Sequence, residues 1–248
     1  MKIVEIVTHC WAGQYTHFAS ALHYQLSSLV LYPPKDCEVQ STVCWLYNDK
    51  VTEEVINTFL SQRSIRIKSV VFRDPLELGR RSIGRNYAAK GTGADIVWFA
   101  DADYLFREGC LDHLVSLPWP GEVTMVYPRS ARIASTHGIG DKMLARDREG
   151  RLLDIDPKDF ISHGHRKAIG GVQIVRGDFA RRHGYLNGQR PWSQPAKSPF
   201  ADFHDDIAYR RYCLGLGQIV GVELPNVFRI RHTTTTYEGP KAPAEASA

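Results

Sequence analysis

Two carboxylates, Asp101 and Asp103, stand one residue apart directly after the apolar run Ile96–Ala100. The run is typical of a buried strand, whereas neighbouring carboxylates repel each other and are costly to remove from water. A divalent cation would offset that repulsion, because Mg²⁺ and Mn²⁺ prefer hard oxygen ligands. A solvated turn is the ordinary reading of the tripeptide alone, but its place at a strand end favours a metal-binding pair in a ligand crevice.

The first half of the chain alternates the period of strands with that of one-faced helices. Strand patterns occupy residues 2–10, 37–49, 65–72 and 94–100, and helix patterns occupy 16–31, 52–62 and 78–93. This order predicts an α/β fold with an open, mixed and mostly parallel sheet flanked by helices. Ligands bind at the carboxyl ends of such strands. Polar residues at these ends should then meet at one edge: Thr8-His9, Asn48-Asp49, Arg73-Asp74 and Asp101/Asp103.

The second half of the chain is less regular. Residues 130–167 are rich in charge and show no clean period, so we expect an irregular lid there. Strand and helix patterns return between residues 168 and 224. Residues 239–248 are rich in Pro and Ala, and we expect a disordered tail.

The composition excludes several classes of protein. The 248 residues carry a net charge of +4, 43% hydrophobic and 23% charged side chains, which are ordinary globular values. No apolar run is long enough to span a membrane, and the strand pattern begins at Lys2 with no signal peptide before it. The cysteines are odd in number and form no C-x-x-C pair, so we expect reduced, buried thiols in a cytoplasmic protein: Cys10, Cys37, Cys44, Cys110 and Cys213.

Five short motifs follow one another along most of the chain: CWLYND, LGRRSIGRNYAAKGTGADIVWFADAD, IGGVQIVRGDFARRHGYLNG, FHDDIAYRRYCLGLG and FRIRHTT. Their order resembles the family-2 glycosyltransferases of the GT-A fold, a Rossmann-like architecture. The chain departs from that pattern in THCWAGQY, which stands in place of Pro-x-Tyr-Asn. It departs again at Asp205-Asp206, where Glu-Asp is commoner.

The resemblance implies roles for particular residues. Asp101, Asp103 and His232 would bind Mn²⁺ or Mg²⁺, and neutral imidazole suits such a site. Asp206 would act as the general base, and Asp205 would orient hydroxyl groups. The predicted donor-binding residues come from strand ends, from the helix before the Asp pair and from a Gly-Gly turn: Thr8, Asn48, Asp74, Arg85, Asn86, Asp101, Gly170 and Gly171.

The implied activity is inverting, divalent-metal-dependent transfer of a sugar from a nucleotide diphosphate, with a UDP-sugar favoured, to an acceptor hydroxyl. One domain would cover 1–238, with the nucleotide-sugar half at 1–106 and the acceptor half at 107–238. The acceptor would be a glycan or small molecule, while the several Arg pairs keep a hydroxymethylated base in DNA open.

Two other functions stay open at this point. A sugar-nucleotide pyrophosphorylase has a similar sheet but needs a Gly-rich phosphate loop after the first strand, which HCWAGQYTHF does not provide. A non-catalytic nucleotide- or glycan-binding relative would fit if the carboxylates hold no metal.

Overall fold

The computed structural model describes residues 1–13, 17–146, 148, 150–197 and 204–233. The proposed tail at 239–248 lies outside these residues. The strands are β1 Lys2–His9, β2 Cys37–Leu46, β3 Ile65–Phe72, β4 Ile96–Phe99, β5 Tyr104–Phe106, β6 Val123–Pro128, β7 Ser130–Ala134, β8 Phe160–Gly164, β9 Gln173–Arg176, β10 Gln218–Val222 and β11 Val227–Arg229. The helices are α1 Phe18–Leu31, α2 Lys50–Phe59, α3 Pro75–Gly79, α4 Arg81–Gly91, α5 Cys110–Ser116, α6 His137–Leu144, α7 Gly177–His183 and α8 Asp205–Leu216, with a 3-10 turn at Pro157–Asp159.

The larger sheet has seven strands within the described residues, in the order β10-β6-β9-β4-β1-β2-β3. Neighbouring strands are parallel except for β9, which runs antiparallel to both β4 and β6. The central strands β1 and β4 are buried on both faces over residues 4–8 of β1 and the whole of β4, as expected for inner strands of a mostly parallel sheet. The predicted mixed, mostly parallel sheet flanked by helices is therefore confirmed.

The strand register brings the predicted crevice to one edge. Val7 of β1 lies beside Phe99 of β4, and His9 lies beside Cys44 of β2. The chain leaves these parallel strands on the same side, so the segments that follow β1, β2, β3 and β4 share the carboxyl edge. Asp101 and Asp103 follow β4 there.

A smaller sheet, in the order β5-β11-β7-β8, corrects the prediction of an irregular segment at 130–167. That segment contains β7, α6 and β8, and Ser130 pairs with Gly164 at the open end of the β7–β8 ladder. The sequence hides this pairing because β8 buries only Phe160 and so has no alternation. Its partner strand is also far away along the chain.

The helix predicted at 78–93 is two helices. Arg80 has ψ 84°, which ends α3 and starts α4 at Arg81. The break turns the first residues of α4 toward the carboxyl edge, where Arg81 reaches Asp101.

The thiols agree with the sequence prediction. All five cysteines are free and buried. In the part of the chain that the structure describes, every helix is too short or too polar to span a membrane.

Gly177 tests the packing of α7 against the larger sheet. A Cβ at Gly177 would lie 1.8 Å from the carbonyl oxygen of Ala94, an atom of the backbone that cannot move aside cheaply. We expect Gly177→Ala to lower the free energy of unfolding by about 1–3 kcal/mol, the usual cost of overpacking. Urea denaturation measures this. Gly121→Ala is the matched control, because nothing lies within 4 Å of a Cβ there, and a loss of equal size in the control would contradict the packing argument.

Candidate active site

Asp101 and Asp103 lie at the carboxyl edge of the larger sheet and are both compensated by arginines. Asp101 Oδ1 accepts hydrogen bonds from Arg81 Nη1 at 3.0 Å and from Arg85 Nη2 at 3.3 Å. Asp103 Oδ2 accepts one from Arg229 Nε at 2.8 Å. The three guanidinium groups come from α4 and from β11, so residues far apart in sequence offset the repulsion between the two carboxylates.

The two carboxylates differ in their proton affinity. Burial acts to raise the pKa of Asp101, but Arg81 and Arg85 outweigh it and the pKa is lowered. Burial raises the pKa of Asp103, and the charge of Asp101 adds to this against the opposing effect of Arg229. Asp101 is therefore the more firmly ionised member of the pair.

One carboxylate oxygen has the character of an open metal ligand. Asp103 Oδ1 is buried and has no hydrogen-bond partner among the described residues, which is costly for a carboxylate oxygen unless something else binds it. His232 lies close enough for its charge to lower the pKa of Asp103. Across the described ranges, no three His, Cys, Asp or Glu side chains are arranged to hold a metal ion. Asp103 Oδ1 could therefore hold a metal ion, but the described side chains do not by themselves complete a metal site.

Arg85 is a fully buried cation that links both sides of the site. The sequence predicts donor contact, but the side chain has no exposure. It donates to Asp101 and to the carbonyl oxygen of Gly170 at 3.0 Å, and Nη1 donates to the hydroxyl of Tyr185 at 2.9 Å. Arg85 therefore positions the residues around it, and its contact with a donor stays a prediction.

Tyr185 extends this contact toward α8. Burial raises the pKa of Tyr185 far above its ordinary value, so the hydroxyl stays protonated. It donates to Gln173 Oε1 at 2.8 Å, and Gln173 Nε2 donates to the carbonyl oxygen of Asp206 at 2.8 Å. A continuous chain of hydrogen bonds thus connects Arg85 with the start of α8.

Gly170 and Gly171 lie between the carboxylate pair and Asp206. A Cβ at Gly171 would lie 2.4 Å from the ring of Tyr104 and 3.0 Å from Asp101 Oδ2, and one at Gly170 would lie 3.5 Å from Asp206 Cβ. Trp98 Nε1 fixes this turn by donating to the carbonyl oxygen of Gly171 at 3.1 Å. The structure therefore brings together Asp101, the glycine pair and Asp206, as the sequence predicts.

The two aspartates that begin α8 occupy different environments. Asp205 has no exposure, and its oxygens accept the backbone N–H of Ser82 at 2.8 Å and of Asp206 at 3.0 Å. This carboxylate ties α8 to α4, and its predicted role of orienting substrate hydroxyls stays a prediction. Asp206 is partly exposed beside Gly170, and it is the one of the two that a substrate can reach.

Thr8 and Asp74 are placed at the carboxyl edge but serve the fold. The buried hydroxyl of Thr8 donates to Gln25 Oε1 at 2.7 Å, and Gln25 Nε2 in turn donates to the carbonyl oxygen of Asp101 at 2.9 Å. Asp74 caps α3 by accepting the N–H of Leu76 at 2.8 Å. Thr8 thus supports the Asp101 loop through Gln25.

The side chains of Asn86 and Asn48, both predicted to bind the donor, lie in different surroundings. Asn86 Oδ1 accepts the N–H of Tyr185 at 3.0 Å, so its amide faces the loop after α7 and away from the carboxylates. Asn48 is exposed directly after β2, at the edge where a ligand would lie. Of these two predicted donor residues, only Asn48 has a free approach.

Sequence reasoning missed Arg81, Arg229 and Tyr185. No local motif marks them, because each acts through a partner distant in the chain. His9 is expected from the sequence only as a strand-end residue at the carboxyl edge. His9 ends β1 with both ring nitrogens buried and unpaired among the described residues, and a Cβ at Gly84 would lie 2.4 Å from its Nε2. Burial, followed by the charges of Arg85 and Arg81, holds the pKa of His9 well below its usual range, so the ring is neutral.

The comparisons with known proteins rest on structure. No family model matches the chain, and no curated protein matches its sequence. The crystal structure of the S. aureus TarS 1-349 fragment with UDP aligns at a TM-score of 0.58 and 11% identity, over 92% of this chain and 60% of that one. The fragment with UDP-GlcNAc aligns at 0.55 and 12% identity, over 92% of this chain and 58% of that one.

The chain has the GT-A fold. It spans about three fifths of the TarS fragment to which it aligns, and 36% of the longer TarS chain, which aligns at a TM-score of 0.55. At this level of identity the likeness concerns the fold, so the chemistry has to be argued from the residues of this chain.

Tyr185→Phe tests the buried chain of hydrogen bonds. The change keeps the ring but leaves Gln173 Oε1 and an Arg85 N–H without their partner, so we expect a loss of about 1–3 kcal/mol in the free energy of unfolding. Tyr87→Phe is the control, because Tyr87 is 63% exposed. Urea denaturation of both variants measures the difference, and equal stabilities would show that the hydroxyl of Tyr185 contributes nothing.

Proposed function

We propose that this protein is an inverting, divalent-metal-dependent glycosyltransferase that moves a sugar from a UDP-sugar to an acceptor hydroxyl. The observation that carries the proposal is the convergence of Asp101, Asp103, the Gly170–Gly171 turn and Asp206 at the carboxyl edge of a GT-A sheet. The TarS fragment of the same fold has been solved with UDP and with UDP-GlcNAc. Those complexes support a UDP-sugar as the donor.

On the donor side, Asp103 would hold Mn²⁺ or Mg²⁺ through Oδ1, with His232 and Asp101 nearby. When bound, the metal would neutralise the charge of the diphosphate leaving group. Arg81 and Arg229 are partly exposed cations at the same carboxylates, and they supply further positive charge where the leaving group develops its negative charge. Asn48 is placed to contact the nucleoside.

On the acceptor side, Asp206 would take the proton from the attacking hydroxyl. A base on the face opposite the leaving group gives inversion, and a partly exposed carboxylate beside the glycine turn meets that need. Gln173 holds the backbone of Asp206, and Asp205 holds α8 against α4. Both therefore fix where Asp206 stands.

The proposal also covers the chemical class of the acceptor and the cellular compartment. We favour a glycan or small-molecule hydroxyl, and a hydroxymethylated base in DNA is the second acceptor to include in a mass-spectrometric screen. The five buried free thiols support a reducing compartment such as the cytoplasm.

A metal-independent nucleotide-binding protein is the second candidate function. The ion pairs of Asp101 with Arg81 and of Asp103 with Arg229 favour it, because they already neutralise both carboxylates without a cation. The two candidates differ in whether metal is needed for UDP to bind.

Asp103→Ala tests the metal role. We expect the variant to lose transfer, and UDP to raise the melting temperature of the unaltered chain only when Mn²⁺ or Mg²⁺ is present, through ligand linkage. Differential scanning fluorimetry with and without EDTA measures the shift. Asp36→Ala, an exposed aspartate just before β2 at the opposite edge of the sheet, is the control. Full turnover in EDTA, or an equal shift without metal, would favour the second candidate.

Asp206→Asn tests the base. The amide keeps the size of the side chain but cannot accept a proton near neutral pH, so we expect kcat to fall about 10²-fold or more while the affinity for UDP stays the same. Asp178→Asn, an exposed acid in the first turn of α7, is the matched control. NMR of the product's anomeric proton reports the configuration. A retained configuration would rule out single displacement.

Asp205→Asn separates positioning from catalysis. The carboxylate accepts two backbone N–H groups, whereas an amide offers one acceptor oxygen and turns a donor toward the other N–H. We expect a loss of about 1–3 kcal/mol in the free energy of unfolding, measured in urea. If the variant keeps its stability but binds the acceptor poorly, Asp205 contacts the substrate and does not serve mainly to position α8.

A further inference from the structure

The backbone that carries His232 is attached to the loop of the carboxylate pair. Arg229, the last residue of β11, lies opposite Tyr104 of β5, and Arg229 Nε donates to Asp103. One residue later, the N–H of Ile230 donates to the carbonyl oxygen of Asp103 at 2.8 Å. The first half of the segment 230–233 is therefore fixed at Asp103.

The opposite side of the same segment is held by α6. A Cβ at Gly140 would lie 1.9 Å from the carbonyl oxygen of Arg231 and 3.2 Å from Ile230 Cγ2. Only a glycine lets the helix approach the segment so closely. Arg231 Nε also donates to His137 Nε2 at 2.9 Å, at the start of α6.

Asp141, the next residue of α6, holds the end of the segment. Its Oδ1 accepts the N–H of Thr233 at 2.9 Å, and its Oδ2 accepts the hydroxyl of Thr233. These hydrogen bonds, followed by the charges of His17 and His232, lower the pKa of Asp141. The carboxylate is thus an anion that holds Thr233 at the end of the segment.

His232 stands between the two anchors. Ile230 is bonded to Asp103, Thr233 is bonded to Asp141, and His232 lies in the reach between them. Its ring centroid is 6.2 Å from that of His17, which precedes α1. The backbone on both sides of His232 is therefore anchored.

We propose that Asp141 is a positioning residue for the leaving-group subsite, and that with Gly140 it holds the segment 230–233 so that His232 faces Asp103. This inference rests on the proposed function for its purpose, because the subsite matters only if UDP and a divalent cation bind there. The structural part of the inference is that Asp141 determines the position of His232. This part can be tested without any activity.

The experiment measures the place of His232 first, on the full chain without ligand. The side-chain ¹H–¹⁵N resonances of His232 are assigned by their loss in His232→Ala and then compared in Asp141→Ala, Asp141→Asn and Lys142→Ala. Lys142 is exposed on the same helix and makes no part of the contact, so it is the matched control. We expect Asp141→Ala to move the His232 resonances, Asp141→Asn to move them less and Lys142→Ala to leave them in place.

The second measurement is the affinity of the UDP-bound chain for Mn²⁺, by isothermal titration. We expect Asp141→Ala to weaken it about tenfold or more, as the loss of a group that orients a ligand usually does. In Asp141→Ala/His232→Ala the loss should equal that of His232→Ala alone, because Asp141 acts through His232.

The outcomes separate the two proposals. Unmoved His232 resonances in Asp141→Ala, or losses of Mn²⁺ affinity that add in the double variant, would overturn the positioning role. A chain that binds neither UDP nor Mn²⁺, with the resonances moved as expected, would overturn the proposed function and leave the positioning of His232 by Asp141 supported. Melting temperatures of all variants show that the changes are local.

Discussion

Two carboxylates at the end of one buried strand are the constraint on which the rest of this site depends. Asp101 and Asp103 emerge from β4 too close together to remain charged without compensation. Guanidinium groups on α4 and β11 compensate the two carboxylates, and the one on β11, Arg229, belongs to the smaller sheet. The smaller sheet therefore has an electrostatic role as well as a packing one.

The acceptor side depends on the same charges indirectly. Arg85 binds Asp101 on one side and Tyr185 on the other, and Tyr185 reaches the start of α8 through Gln173. Breaking these hydrogen bonds would leave further buried donors and acceptors without partners, so the network favours one arrangement of α4 against α8. The partly exposed Asp206 is held in place by residues that no substrate touches.

The sequence predicts the first four parallel strands well because each one carries a strand pattern that ends at polar residues. The resemblance carried by the order of motifs implies that Asp101, Asp103, Gly170 and Asp206 belong to one site. The β7–β8 pair escapes prediction, because β8 is largely exposed, β7 is only partly buried and a long stretch of chain separates them. The buried state of Asp205, and the partners Arg81 and Arg229, also escape it, since burial and ion pairing between distant residues leave no local period.

The pairing of Arg229 with Asp103 has a consequence for the order in which the chain is made. The two residues are 126 positions apart, so Asp103 leaves the ribosome about 6–25 s before its counter-charge at synthesis rates of roughly 5–20 residues per second. During that interval β1 to β4 have already been made, while β5 lacks its neighbour β11. The nascent protein thus has its first strands long before it has an electrostatically balanced crevice, and completion of the site waits for β11, the last strand among the described residues, to be translated.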